Sequence, residues 1–286
     1  MSTTGPFGTA GELTLMAVHA HPDDEAIGTG GVLARYAAEG VRTVLVTCTN
    51  GEQGDAPGGM KPGEAGHDAA EVAQLRLAEL RSAAGHLKVS HLELLGYHDS
   101  GMVGWEANED PEVFCNVPLA EPTGRIAELM RRYEPQVVVT YDSNGGYGHP
   151  DHIQAHRATV AAAESTGIPT KVYYVAIPRS GVADMRRRLQ ASGVDTDALG
   201  VPDGFGSPDE DITTVIDVSG YVDPKRRALA AHASQTENFF LNRLPEEILV
   251  AALSIECFTL RGAPEGLPRE DDLFAGLRAD PQDSSV

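Results

Sequence analysis

Residues 13–25 read LTLMAVHAHPDDE, and this stretch decides the fold. Its first eight residues are short and apolar, as in a strand buried on both faces. His21-Pro22-Asp23-Asp24-Glu25 follows without a spacer. Residues 28–39 then carry Val32, Leu33, Tyr36 and Ala37 at helical spacing, with Gly40 as a C-terminal stop. Residues 41–48 (VRTVLVTC) form a second apolar strand. Working outward, residues 50–66 are rich in Gly and Pro and read as a long loop. A helix over 68–87 repeats Val72, Leu75, Leu80 and Ala84, and a third strand covers 91–95. Residues 97–121 look irregular. A helix over 123–133 takes Thr123 as its N-cap. The fourth strand is 136–141, Pro150 opens another helix, and the fifth strand is 171–176. This alternation predicts an α/β protein, a mostly parallel sheet with helices on both faces.

The last hundred residues are less regular. Strands are expected at 213–218 and 255–260, helices at 224–234 and 245–252, and fraying at 279–286. No repeat and no linker is evident. The expected division is a core over residues 1–176 and a C-terminal extension, 177–286, that completes the same domain.

The 286 residues can bury a large core without staples. A 41% hydrophobic and 22% charged composition is globular rather than disordered. The net charge of -20 repels phosphate backbones, so no nucleic-acid partner is expected. Cys48, Cys115 and Cys257 are odd in number and form no C-x-x-C. That argues against a disulfide scaffold and a cysteine zinc cluster, and for a reducing cytoplasm. No apolar run approaches the ~20 residues a bilayer span requires, and residues 1–11 do not read as a signal peptide. No membrane partner is therefore expected, and assembly into a homo-oligomer stays open.

Ligands of open parallel sheets sit beyond the C-terminal ends of the strands. Two clusters fall there. One is His19-Ala20-His21-Pro22-Asp23-Asp24-Glu25 after strand one. The other is Tyr147-Gly148-His149-Pro150-Asp151-His152 after strand four. Four of the ten histidines lie in these segments, a density that a divalent metal explains. His21 and Asp24 have the H-x-x-D spacing that turns both side chains to one point at a helix start. His152 supplies a third ligand. Two histidines and a carboxylate suit zinc and also ferrous iron. Asp23 is the candidate base for a metal-bound water. His149 is a candidate to stabilise an oxyanion or to protonate a leaving amine. Asp151 would hold that imidazole protonated and oriented, and Tyr147 could reach the same oxyanion. His19 and His156 are expected to support or pack. His67, His86, His91 and His232 are expected to be structural or solvated.

Other chemistries lack their motifs. Gly28-Thr29-Gly30-Gly31 is not G-x-G-x-x-G, so a nicotinamide cofactor is not supported. G-x-S-x-G and the P-loop pattern are absent from the sequence.

A-H-P-D-D-E at residues 20–25, paired with G-H-P-D-H at 148–152, resembles the PIG-L (LmbE-like) zinc N-deacetylases. The resemblance covers about residues 13–174, and more loosely the region of His232. Asn50-Gly51-Glu52, Arg76-Leu77-Ala78-Glu79-Leu80, Asp99-Ser100-Gly101-Met102 and the stretch from Tyr141 to Tyr147 are similar to actinobacterial members acting on mycothiol and its precursor. The resemblance implies a Rossmann-like fold and His21, Asp24 and His152 as zinc ligands. It implies Asp23 as base, His149 as acid or electrostatic partner, and Asp151 as its tuning residue. It places Tyr147 near the oxyanion, and Glu52, Arg76 and Asp99 along a sugar and inositol pocket. Residues 53–66 (QGDAPGGMKPGEAG) are a loop of this chain's own character.

The leading expectation is a metal-dependent hydrolase that removes acetyl from a small amino sugar, N-acetylglucosaminyl-inositol first. A mycothiol S-conjugate amidase and a deacetylase of a secondary-metabolite amino sugar are the alternatives. A non-heme iron oxygenase is a distant one, because its usual scaffold is all-β. A non-catalytic binding module would have no need of Asp23, His149 and Asp151.

Overall fold

The computed structural model describes residues 13–278 apart from 192, 194–195, 197–203, 237–243 and 265. The expectations for 1–11 and 279–286 lie outside the described residues. In chain order the elements are β1 (Thr14–His19), α1 (Asp24–Gly28), α2 (Gly30–Ala38), β2 (Arg42–Thr49), α3 (Ala69–His86), β3 (His91–Tyr97), α4 (Ala120–Tyr133), β4 (Val137–Thr140), α5 (Gly145–Gly148), α6 (Pro150–Thr166), β5 (Lys171–Ala176), α7 (Arg179–Ala191), β6 (Thr214–Asp217), α8 (Val222–Ala231), α9 (Ala233–Thr236), α10 (Glu246–Leu253) and β7 (Ile255–Leu260).

The seven strands form one sheet in the order β3-β2-β1-β4-β5-β7-β6. The first five are parallel, and β7 runs antiparallel to both β5 and β6. The chain steps from β1 to β2 and β3 on one side and resumes at β4 on the other. The switch point is the β1–β4 pair, with Leu15 opposite Val137 and Ala17 opposite Val139. A crevice opens beyond the carboxyl ends of strands at such a point. Both sequence clusters leave the sheet there, so the topology alone makes them neighbours.

Side chains alternate along β1. Leu15 and Ala17 pack with Leu33, Tyr36, Leu80 and Ala228, under α2, α3 and α8. Met16 and Val18 pack with Ile126, Met130 and Ala158, under α4 and α6. Helices cover both faces, which is why β1 is buried throughout and apolar from Leu15 to Val18 rather than alternating. Asp68 caps α3 by accepting from the Ala70 and Glu71 N–H groups at 2.9 and 3.1 Å.

The C-terminal chain is woven into this frame. Glu256 of β7 accepts the Gly31 and Val32 N–H groups at 2.7 and 2.8 Å, at the start of α2, and pairs with buried Lys225 at 2.6 Å. Two local details differ from the expectation. α4 begins at Ala120, not at Thr123, because Pro122 falls in the first turn, where its missing N–H costs nothing. α7 was not foreseen: its ADMRRRLQ run offers few apolar positions, and Leu189 alone of its residues is buried. The antiparallel β7 and the edge strand β6 beside it leave the sheet mostly parallel, as expected. Among the described residues no helix is long and apolar enough to cross a membrane.

Candidate active site

The two clusters meet at His21. The turn after β1 brings His21 forward, and the Asp24 carboxylate folds back to accept the His21 backbone N–H at 2.8 Å. The His21 imidazole is buried, with its two nitrogens facing different groups. Nε2 lies 3.2 Å from Asp151 Oδ2 and 3.4 Å from Asp99 Oδ1. Nδ1 lies 3.2 Å from His152 Nε2 and 3.4 Å from Asp24 Oδ2. His152 Nε2 is also 3.5 Å from Asp24 Oδ1.

The tautomers follow from these partners. Two carboxylates face His21 Nε2, so in the neutral ring that nitrogen carries the proton and Nδ1 keeps a lone pair. The Gly145 carbonyl accepts from His152 Nδ1 at 3.1 Å, which leaves a lone pair on His152 Nε2. Tyr141 donates its hydroxyl to Asp24 Oδ2 at 2.7 Å, and its ring stacks on His152 at 4.1 Å. With both rings neutral, lone pairs of His21, His152 and Asp24 converge, an arrangement that suits a cation. Ligands at about 2.0–2.2 Å from a tetrahedral ion stand about 3.3–3.6 Å apart. The 3.2 Å between the two nitrogens and the 3.4 Å from His21 Nδ1 to Asp24 Oδ2 are of that size, while His152 Nε2 faces the other Asp24 oxygen, Oδ1, at 3.5 Å.

Among the described residues, the groupings whose ligand atoms all lie within 4.8 Å of one another are His21, His149 and His152, and His21, Asp99, His149 and Asp151, with Asp24 in neither. The second uses the protonated side of His21. Asp99 and Asp151 there resemble the carboxylates that orient a ligating imidazole from behind.

Electrostatics are strong because the groups are buried. Burial pulls the His21 imidazole down, but Asp99, Asp151 and Asp24 hold it well above its ordinary value, so at neutral pH the ring carries a second proton, on Nδ1, which a metal ion would replace. Burial raises Asp24, and His152 and His21 overcome it, holding the carboxylate well below the usual range. Burial pushes Asp23 up to about 6, with Asp24 adding and Arg76 opposing. Burial, with His21 and His152 beside it, pushes His149 down to about 3.

Asp23 sits at φ 126°, ψ −28°, a region that costs a non-glycine residue strain. Its N–H donates to Glu25 Oε2 at 3.0 Å, and Arg76 Nη2 donates to its Oδ2 at 3.1 Å. Arg76 also donates to the Pro22 and Gly51 carbonyls at 2.7 and 2.6 Å, and its Nη1 lies 3.8 Å from Asp99. Arg76 and Asp99 thus reach the site buried beneath it, their polar atoms turned to protein. Glu52 Oε1 pairs with His98 at 2.6 Å, while buried Oε2 has no hydrogen-bond partner among the described residues.

His149 is the N-cap of α6, its Nδ1 accepting the Asp151 N–H at 3.2 Å. Its proton as a neutral ring is then on Nε2. The expected ion pair between His149 and the Asp151 carboxylate is not formed. That carboxylate accepts from the Ser100 hydroxyl and N–H and faces His21. Tyr147 is half exposed, with its ring 5.0 Å from His152 and 6.1 Å from His149.

Sequence reasoning missed Tyr141, Ser100 and the Glu25–His232 pair. Tyr141 had a signal, since it ends the fourth apolar run. His19 and His156 behave as expected of supports: His19 bonds Thr29 at 2.8 Å, and His156 bonds the Tyr141 carbonyl at 2.8 Å.

The family model for GlcNAc-PI de-N-acetylases (PIG-L) matches residues 16–163. The chain belongs to the PIG-L family. A 1D-myo-inositol 2-acetamido-2-deoxy-alpha-D-glucopyranoside deacetylase of Acidothermus cellulolyticus is 45% identical over 279 residues, 92% of this chain and 95% of its own. The N,N'-diacetylchitobiose deacetylase of Pyrococcus horikoshii shares the fold at 19% identity and a TM-score of 0.53, over 94% of this chain and 88% of that one. The 4-carboxy-2-hydroxymuconate hydratase of Pseudomonas putida does so at 18% and 0.55, over 88% and 97%. The PIG-L fold therefore does not by itself fix the chemistry, and the site must.

Proposed function

We propose that this PIG-L protein is a zinc-dependent deacetylase of N-acetylglucosaminyl-inositol. One observation carries the chemistry: the His21 and His152 imidazoles and the Asp24 carboxylate converge beside an Asp23 whose carboxyl is pushed up to about 6. The similarity to the Acidothermus cellulolyticus deacetylase supports the substrate. His21, Asp24 and His152 would hold the ion, and ferrous iron would accept the same donors. When bound, the ion supplies Lewis acidity, acidifying a water and polarising the amide carbonyl.

The protein's own groups do the rest. Asp23 takes a proton from the attacking water as its oxygen bonds to the acetyl carbon. A base near 6 is ionised at neutral pH yet still basic enough to accept that proton. Neutral His149 donates its Nε2–H to the oxyanion, and Tyr147 lies beside it. The proton on Asp23 then passes to the departing nitrogen as the C–N bond breaks, releasing acetate and the amine. Glu52, through its unpartnered oxygen, contacts the polyol of the substrate. Arg76 and Asp99 support that contact from below, and Asp151 orients His21.

The Glu256 and Lys225 links support treating residues 177–286 as an extension that completes the domain of the 1–176 core. Three free cysteines support a reducing cytoplasm as its location.

The test is amine release from N-acetylglucosaminyl-inositol by metal-stripped protein, with and without added zinc. Zinc-dependent release is expected. Asp23→Asn is expected to lower kcat about 10³-fold with metal still bound. Wild-type turnover by that variant would remove Asp23 as base. Release only from a mycothiol S-conjugate would overturn the substrate and keep the chemistry.

A further inference from the structure

His232 follows α8 as its C-terminal cap. Its Nε2 lies 2.7 Å from Glu25 Oε1, and both side chains are fully buried. Glu25 turns its other oxygen, Oε2, to the Asp23 N–H. A chain of two hydrogen bonds thus runs from the C-terminal third of the protein to the backbone of Asp23. That backbone is the strained one, and strain persists only where the surroundings over-determine it. Arg76 grips Asp23 by its carboxylate, Glu25 by its N–H.

A carboxylate on a rotatable stem holds one oxygen in place only if the other is fixed, and His232 fixes it. The segment that carries His232 is anchored independently. The Ser234 N–H and hydroxyl donate to the Glu79 carboxylate at 2.8 and 2.7 Å. The Gln235 side chain accepts the Asp55 N–H at 3.1 Å and donates to the Asp55 carbonyl at 2.9 Å. The His232–Glu25 bond can therefore be lost while its segment stays anchored.

We infer that His232 and Glu25 are a positioning pair that sets the angle at which Asp23 presents its carboxylate. Neither residue touches substrate. The inference rests on Asp23 being the base. Their loss lowers kcat and leaves KM and bound metal unchanged, because the ligands and Glu52 are held by other contacts.

The test compares His232→Gln, whose amide nitrogen overlays Nε2, with His232→Asn, whose amide nitrogen overlays Nδ1. Glu25→Asp repeats it from the other side by shortening the reach to Asp23, and stands in should His232→Asn not fold. Each variant is assayed as the zinc-loaded full chain for kcat, KM, metal content and Tm. Expected is a kcat loss of about 10–100-fold for His232→Asn and Glu25→Asp, the scale set by a misplacement of about 1 Å. His232→Gln should stay within about threefold of wild type, as its amide restores the bond to Glu25. Equal losses for Gln and Asn, or metal content falling in step with kcat, would reduce the pair to a structural one. Full turnover by both His232→Asn and Glu25→Asp would overturn it. Asp23→Asn separates the two readings. If it is inactive while those variants are normal, the positioning inference alone falls. If it is active, the base assignment falls and takes the inference with it.

Discussion

The two halves of the site are held in different ways. The second cluster is local. His149 caps α6, Pro150 occupies its first position, and His152 lies in its first turn, so one helix start places the residues. The first cluster is held from a distance. Asp23 depends on Arg76 and Glu25, Glu25 on His232, and Asp24 on Tyr141. His152 can rest on an ordinary helix start. The base occupies a conformation the chain would not choose, and remote residues keep it there.

The contrast is broken most severely at Arg76. Arg76→Met removes a buried cation from two carbonyls and a carboxylate, and should destabilise the protein by about 3–5 kcal/mol. It should also lower kcat/KM by at least about 10²-fold, because Asp23 loses its grip on the carboxylate side. The pH profile carries the sign. Asp23 works ionised, so activity falls as pH drops through its pKa, which lies at or below about 6 once a divalent cation is bound beside it. Arg76 opposes the rise caused by burial, so its removal should move the acidic limb to higher pH. A profile that stays in place would show that Arg76 does not act through Asp23.

Asp151→Asn should be milder. It keeps an oxygen for Ser100 but withdraws the charge facing His21 Nε2. Loss of a carboxylate behind a ligating imidazole costs about 10–100-fold in metal affinity, read by zinc competition against a chelator. An unchanged affinity would move the metal away from the Nδ1 side of His21, or deny His21 as a ligand.

The same division decides what was legible in the sequence. HPDDE and GHPDH could be found because strand ends and helix starts put the reactive residue types side by side in the chain. The βα alternation predicted a parallel sheet with both clusters at strand ends, while the pairing of β1 with β4 that brings them together came with the strand order. The partnership of Glu25 with His232, 207 residues apart, left no local mark, and His232 reads as one more structural or solvated histidine. Nor did the pairing of Asp151 with Ser100, since Asp-His beside His-Pro suggests a nearer partner. α7 was hidden for another reason: its buried surface is small, and a helix without an apolar stripe has no period to find.

The smallest effect should come from Pro150→Ala, and it tests whether the second cluster is local. Proline at the first helical position presets φ and forgoes an N–H that has no partner inside the helix. Alanine tolerates the same geometry. The cap from the Asp151 N–H to His149 does not involve residue 150, and α6 is 17 residues long with a buried face. What changes is chiefly the freedom of the unfolded chain, worth about 0.4–1 kcal/mol. Denaturant unfolding should show that small loss, while kcat stays within about twofold, because less than 0.5 kcal/mol of transition-state energy is at stake. A tenfold fall in kcat would mean that the helix start alone does not place His149 and His152. The second cluster would then depend on remote support as the first does.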